Sequence, residues 1–224
     1  MDYSADQSRP AQNWQHQATA FLARCRAQMW GKHKEEPLTW LHRAGFSLAF
    51  AQDHYLGWNF RSMFRKTALW LGEERGDEKY YLPRGLLLPW IQEQELLRLS
   101  ILSPDGSLLL LEGSATAPMV SGKGPGLLLT LSDGDAFRLI QEKDSSTAVM
   151  AVPISPQAAS IDFSDFGRIR LVAPANEENR AILAGLRERG RMAEAFWLPD
   201  KGLVGGILDG DLHPSDLSAM ARFR

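Results

Sequence analysis

The run Leu127-Leu128-Leu129-Thr130-Leu131 is fenced by Gly124-Pro125-Gly126 on one side and Ser132-Asp133-Gly134-Asp135 on the other. A short apolar run bounded by turn residues predicts a buried strand. Ser132 and Asp133 stand where helix-capping residues belong, and Ala136 to Glu142 continues with Phe137, Leu139 and Ile140 among polar residues, a helical pattern. Strand, acidic turn and helix make the first half of a βα unit. In open α/β sheets ligands bind where strands end and helices begin, so Asp133 and Asp135 are candidate site residues. The competing reading is that Asp and Gly are ordinary turn formers.

The rest of the chain must supply the partners of that strand. Ala148–Val152, Arg168–Val172 and Ala195–Leu198 read as further buried strands, and Glu178 to Arg189 as a helix with Ala181, Ile182 and Leu186 inward. Pro214-Ser215-Asp216-Leu217 starts a terminal helix. Strands alternating with helices predict a mainly parallel sheet over residues 119–224. Residues 80–118 have another period. Leu86–Ile91, Leu96–Leu102 and Leu108–Leu111 read as strands separated by Gln92–Glu95 and by Pro104-Asp105-Gly106, an antiparallel meander.

Residues 1–79 read as helical after a loosely attached start up to Arg9. From Ala11 to Trp30 the apolar residues Trp14, Ala18, Phe21, Leu22, Cys25 and Met29 fall three and four apart, one face of a helix; Ser8 and Pro10 suit its start and Gly31 its end. Pro37 opens a second helix with Leu38, Trp40 and Leu41 inward and Gly45 as its stop. Ser47 caps a third helix through Asp53, ended by Leu56–Asn59. Phe60–Leu71 reads as a fourth, and Gly72–Lys79 as a charged loop. The expected fold is therefore α+β with an α/β part: a helical subdomain, a meander and a mainly parallel α/β domain.

Composition narrows the chemistry. One cysteine, Cys25, excludes an intrachain disulfide and a multi-cysteine zinc site, and its place on an apolar helix face predicts a buried, inert thiol. With a polar N-terminus and no membrane-length apolar run, the expectation is a cytoplasmic protein with no membrane partner. None of His16, His33, His42, His54 and His213 lies in a nucleophile motif. Gly122–Gly126 lacks the spacing and the Ser/Thr of a phosphate-binding loop. Up to Lys66 there are nine basic and five acidic residues, so the helical front is mildly basic and the rest acidic, a pattern compatible with nucleic-acid contact. Trp14, Trp40, Trp58, Trp70 and Trp90 have helical or strand spacing that favours the core over base stacking. Acidic residues recur at strand ends: Asp133 and Asp135, Glu177 and Glu178, then Asp209, Asp211 and Asp216. Convergence of such groups could hold Mg²⁺; the competing reading is that carboxylates favour helix N-termini.

The order of segments resembles the bacterial-type DNA primases and their phage or plasmid relatives. Trp14, Ala20-Phe21, Leu38–Leu41, Ala44-Gly45-Phe46-Ser47 and Leu56-Gly57-Trp58-Asn59 look like their helical region. Leu82–Trp90 followed by Leu99–Gly106 looks like the segment before their Toprim domain. Gly113-Ser114-Ala115, Pro118 and Leu127–Phe137 look like the entry to Toprim itself. The resemblance implies a glutamate at the end of the first Toprim strand for acid–base chemistry, and an Asp-x-Asp pair after a later strand for Mg²⁺. Matching Asp135-Ala136 to the family's Asp-Ala puts Leu131 at the glutamate and Ser132 at its glycine, while Ala175 and Glu177 fall at the Asp pair. Leucine and alanine cannot ligate a metal. The cysteine and histidine zinc module of such primases is also missing from this sequence.

What the resemblance implies is a primase-related, catalytically degenerate Toprim-like protein of a phage or mobile element. It would act in nucleic-acid binding or DNA replication, with single-stranded DNA or RNA and replication proteins as partners and no cofactor. Arg61, Arg65, Lys66, Arg84 and Arg98 are the expected nucleic-acid contacts, against the reading that they are solvated surface charge. One alternative is an active Mg²⁺-dependent nucleotidyl or phosphoryl transferase using a shifted set, Asp133, Asp135 and Glu177 with Asp209 or Asp211. Another is a protein-interaction scaffold.

Overall fold

A computed structural model describes residues 9–72, 78–153, 161–213, 216, 217, 220, 221 and 223. The chain divides into two units, Met1–Ala117 and Pro118–Arg224. No described helix is long and apolar enough to cross a membrane.

In the first unit α1 (Gln12–Met29) buries Trp14, Ala18, Phe21, Leu22, Cys25 and Met29, the six positions that its periodicity marks. Burial pushes the Cys25 thiol up to about 12, which leaves it protonated and unreactive. Helix α2 (Glu35–Arg43) begins two residues before Pro37 and buries Pro37, Trp40 and Leu41, whereas Leu38 is only half-buried. Helix α3 (Leu48–Asp53) is capped by Ser47, whose hydroxyl accepts the Phe50 N–H at 3.1 Å. The expected start at Ser8 lies outside the described residues.

Two expectations for this unit are corrected. Leu56–Asn59 does not merely end a helix: Gly57–Asn59 is strand β1. A Cβ on Gly57 would stand 3.1 Å from the Arg26 nitrogen, so glycine lets the strand and α1 approach closely. Phe60–Leu71 is not one helix. Met63–Lys66 is strand β2, and only Thr67–Leu71 is helical, α4. Strand β2 pairs antiparallel with β3 (Lys79–Leu82), of which the sequence assigns Lys79 to the charged loop and marks no strand at Tyr80–Leu82. A short segment with mixed spacing takes the structure that a distant strand offers it. Of the predicted charged loop, residues 73–77 lie outside the described residues.

The meander forms as expected. Strands β4 (Gly85–Gln92), β5 (Glu95–Leu102) and β6 (Leu108–Leu110) stand in the order β1-β4-β5-β6, all antiparallel. Glu93 and Gln94 both have positive φ, 51° and 69°, the geometry of a tight hairpin turn that follows strand twist. Strand β5 is buried on both faces rather than alternating, with only Glu95 exposed. Trp14, Phe21, Trp70, Tyr80, Leu87 and Leu99 belong to one core cluster between α1 and the sheet. Trp70 stacks on Tyr80 at 4.7 Å, and the Trp14 indole N–H donates to the Tyr80 hydroxyl at 3.4 Å. All five tryptophans from Trp14 to Trp90 considered for stacking are buried.

The second unit holds a five-stranded sheet in the order β11-β10-β8-β9-β7. Its strands are β7 (Met119–Ser121), β8 (Gly126–Thr130), β9 (Thr147–Ala151), β10 (Arg168–Pro174) and β11 (Met192–Leu198). All pairs are parallel except the edge pair β7–β9. Strands β8 and β9 are buried throughout, as expected for central parallel strands. Helix α5 (Asp133–Glu142) follows β8, and helix α6 (Glu177–Glu188) follows β10. Helix α6 buries Ile182, Leu183 and Leu186, while Ala181, expected inward, is exposed. Helix α7 (Gly202–Asp209) was hidden by Gly202, Gly205 and Gly206, which are poor helix formers. It packs against α5. Asp216, Leu217 and Met220 are helical, in line with the expected terminal helix; Pro214 and Ser215 lie outside the described residues.

Candidate functional site

Strands β8 and β10 are parallel neighbours, with Thr130 opposite Val172. Their C-terminal ends therefore lie side by side, and the helices that follow begin on the same sheet edge. Asp133 and Asp135 fall in the first turn of α5 and Glu177 in the first turn of α6. The Ser132 hydroxyl caps α5 by accepting the Asp135 N–H at 3.3 Å, and the Asn176 side chain caps α6 by accepting the Asn179 N–H at 2.8 Å.

The three carboxylates sit in different surroundings. Glu177 is exposed. Asp133 and Asp135 are buried, at 2% and 4% exposure. The Asp135 Oδ1 accepts the backbone N–H of Leu203 at 2.8 Å, so this carboxylate caps the N-terminus of α7. Burial raises the Asp135 carboxyl to about 7, against the lowering effect of the Leu203 and Val204 N–H groups. Gly202, at φ +73°, makes room for the carboxylate: a Cβ there would stand 2.8 Å from both of its oxygens.

Among the described residues, no three His, Cys, Asp or Glu side chains form a group able to hold a metal. Leu131, half-buried, and Ala175, exposed, supply no oxygen donor from their side chains where the resemblance calls for carboxylates. Of the further acids in the shifted set, Asp209 is paired with Lys201 Nζ at 2.7 Å and Asp211 is exposed.

The basic residues separate as sharply. An open groove of about 780 Å³ in the first unit has Arg24, Lys32, His33, Phe60, Arg61 and Arg65 in its lining, and no described lining residue is acidic. Its floor comes from the C-terminal turns of α1 and the segment leading into β2. His33 meets Phe60 edge to face, with centroids 6.5 Å apart. Asn59, also at the groove, is held by donating to the Pro83 carbonyl at 2.6 Å. Two of the five expected contacts, Arg61 and Arg65, thus share one concave surface. Lys66 is exposed next to it in sequence, on the opposite face of β2. Arg84 lies elsewhere, bonded to Glu36.

Arg98 is corrected. It is fully buried, and its guanidinium donates to the Ala115 carbonyl at 2.8 Å and to the Ala117 carbonyl. It pins the end of the unit from within, out of reach of a ligand on the surface. Arg24, Lys32, His33 and Phe60 were not singled out from sequence. The signal that could have found them is the basic excess before Lys66.

No protein-family model matches this chain, and no curated protein matches it. Solved structures do. The catalytic domain of the primase DnaG bound to single-stranded DNA is similar with a TM-score of 0.62 at 11% identity, over 93% of this chain and 77% of that one. A DNA primase domain from Pseudomonas aeruginosa gives 0.61 at 9% identity, over 93% and 78%. The E. coli primase catalytic core gives 0.58 at 11% identity, over 89% and 75%. At these identities the likeness is one of fold.

Proposed function

We propose that this chain, which has the fold of DnaG-type primase catalytic cores, binds single-stranded nucleic acid in the first unit's groove and is catalytically degenerate in its Toprim-like second unit. The observation that carries the reading is the groove lining. Arg24, Lys32, Arg61 and Arg65 bring four cations to one surface, with no carboxylate among the described lining to oppose them. Guanidinium groups take phosphate oxygens two at a time, and an ammonium adds a point charge. Phe60 and His33 offer ring faces to bases alongside those cations. A solved neighbour of this fold is a primase domain bound to single-stranded DNA, which supports the same ligand class here.

The degenerate half of the proposal is supported by how the sheet edge is used. Asp135, aligned with a family acid, is a helix cap. The side chains at Leu131 and Ala175 have no donor atoms. The role that remains is to bind a strand and present it within a replication assembly.

The test is templated ribonucleotide incorporation by the full chain, with a labelled single-stranded template, nucleoside triphosphates and Mg²⁺ or Mn²⁺. The expected result is retention of template with no extended product. A metal-dependent product that disappears in Asp135→Asn would overturn the degenerate reading. Failure to retain template at low salt would overturn the binding reading.

A further inference from the structure

The β2–β3 ribbon has a second face that the groove does not use. In its antiparallel register Phe64 stands opposite Tyr81, and Lys66 opposite Lys79. Side chains two apart on a strand share a face, so these four residues lie together, while Arg65 and Tyr80 lie on the other side. Burial agrees: Tyr80 is in the core cluster at 5% exposure, whereas Phe64 and Tyr81 are 60% and 44% exposed. The two exposed rings lie 5.1 Å apart, tilted by 39°. Both lysines are exposed.

A single apolar residue on a surface needs no explanation. A cross-strand aromatic pair with a cross-strand lysine pair beside it has a specific chemistry. Each ring has a lysine two residues along its own strand, about 7 Å away along the backbone at a rise of ~3.4 Å per residue. A base stacked on the ring would place its phosphate within reach of that lysine's ammonium. Glu78, the acid preceding Lys79, is exposed and lies just outside the strand.

We propose that this ribbon face is a base-stacking subsite for single-stranded nucleic acid, separate from the groove. Phe64 and Tyr81 stack on bases, and Lys66 and Lys79 hold the adjoining phosphates. The assignment rests on the reading of the first unit as nucleic-acid-binding, and adds a site whose contribution is stacking as well as charge. Charge favours nucleic acid as the occupant: a face with two ammonium groups suits a polyanion. Stacking is tolerant of sequence, so the subsite grips any base and prefers none by hydrogen bonding.

The test is fluorescence anisotropy of the full chain with labelled oligothymidylate and oligouridylate of about 15 nucleotides, the upper end of a single-strand site, over a salt series. Phe64→Ala/Tyr81→Ala should weaken binding about tenfold or more. The slope of log affinity against log salt should stay at the wild-type value, since no cation is removed. Tyr81→Phe should bind like wild type. Lys66→Ala/Lys79→Ala should lower the slope by ~1.4, at ~0.7 per phosphate on a single strand. The RNA and DNA arms tell which strand is preferred. Unchanged affinity in a folded Phe64→Ala/Tyr81→Ala chain overturns the subsite, whether or not Arg61→Ala/Arg65→Ala weakens binding. A change of oligomeric state in the aromatic variant, with affinity intact, also overturns it and makes the face a protein contact. If the groove variant binds like wild type while the aromatic variant does not, the groove reading fails and the subsite stands.

Discussion

The carboxylate of Asp135 accepts the backbone N–H of Leu203 at 2.8 Å, across 68 residues of sequence. It ties the first turn of α5 to the first turn of α7. An acid at a strand end, where a site is expected, thus serves as a capping group in a buried place. Replacing it by alanine removes the acceptor and leaves buried N–H groups unsatisfied. Asp135→Ala should lower stability by about 1–3 kcal/mol, and Asp135→Asn by less, in urea unfolding followed by circular dichroism.

The same burial predicts a pH dependence. The Asp135 carboxyl lies near 7 in the folded chain and near the ordinary 3.8 when unfolded. Between those values the folded state binds the proton more tightly, so this group's contribution to stability is greatest below the unfolded value and is lost as pH rises toward 7. Midpoints measured from pH 4 to pH 8, about the window those two values set, should show a fall that flattens in Asp135→Asn.

Gly202 carries a prediction of its own. Its φ of +73° disfavours other residues, and a Cβ would meet both Asp135 oxygens at 2.8 Å. Gly202→Ala should therefore cost more than the ~1 kcal/mol of backbone strain alone. Gly185 offers the control: it has open space around its Cβ position, so Gly185→Ala on α6 should be neutral or slightly stabilising.

Much of this architecture is legible because its signals are local. Helix α1 announces its buried face by spacing from Trp14 to Met29, Ser47 announces a helix start, and the Leu127 run announces a strand and the turn after it. What is not legible depends on distant partners. Strand β2 exists because Lys79–Leu82 pairs with it, and α7 exists because packing and the Asp135 cap offset three glycines. For the site, sequence places Asp133, Asp135 and Glu177 at strand ends, but that the two strands are neighbours, so that the helices begin on one sheet edge, is seen only in the structure. Nor does the sequence reveal that Asp135 is spent on a backbone N–H. Charge counting marks Arg61 and Arg65, but cannot tell the surface Arg65 from the buried Arg98 three strands later in the chain.

Metal affinity should follow donor chemistry. A ligand that binds only the folded state raises its melting temperature, by an amount that grows with the logarithm of its concentration relative to Kd. Mg²⁺ or Mn²⁺ at ~1–10 mM should leave the wild-type midpoint unmoved. Leu131→Glu combined with Ala175→Asp and Glu177→Asp restores the oxygens that the primase resemblance calls for, and its midpoint should rise with either ion. A wild-type chain that is itself stabilised would show that other groups grip the metal.

The most direct measurement of the central claim is the salt dependence of single-strand binding by wild type and by Arg61→Ala/Arg65→Ala. Phosphate contacts release counterions, so each cation that touches the strand contributes ~0.7 to the slope of log affinity against log salt. The account predicts a wild-type slope that falls by about 1.4 in the double variant, with weaker binding at every salt concentration. Equal slopes and equal affinities in the two proteins would contradict it, because the groove would then play no part in holding nucleic acid.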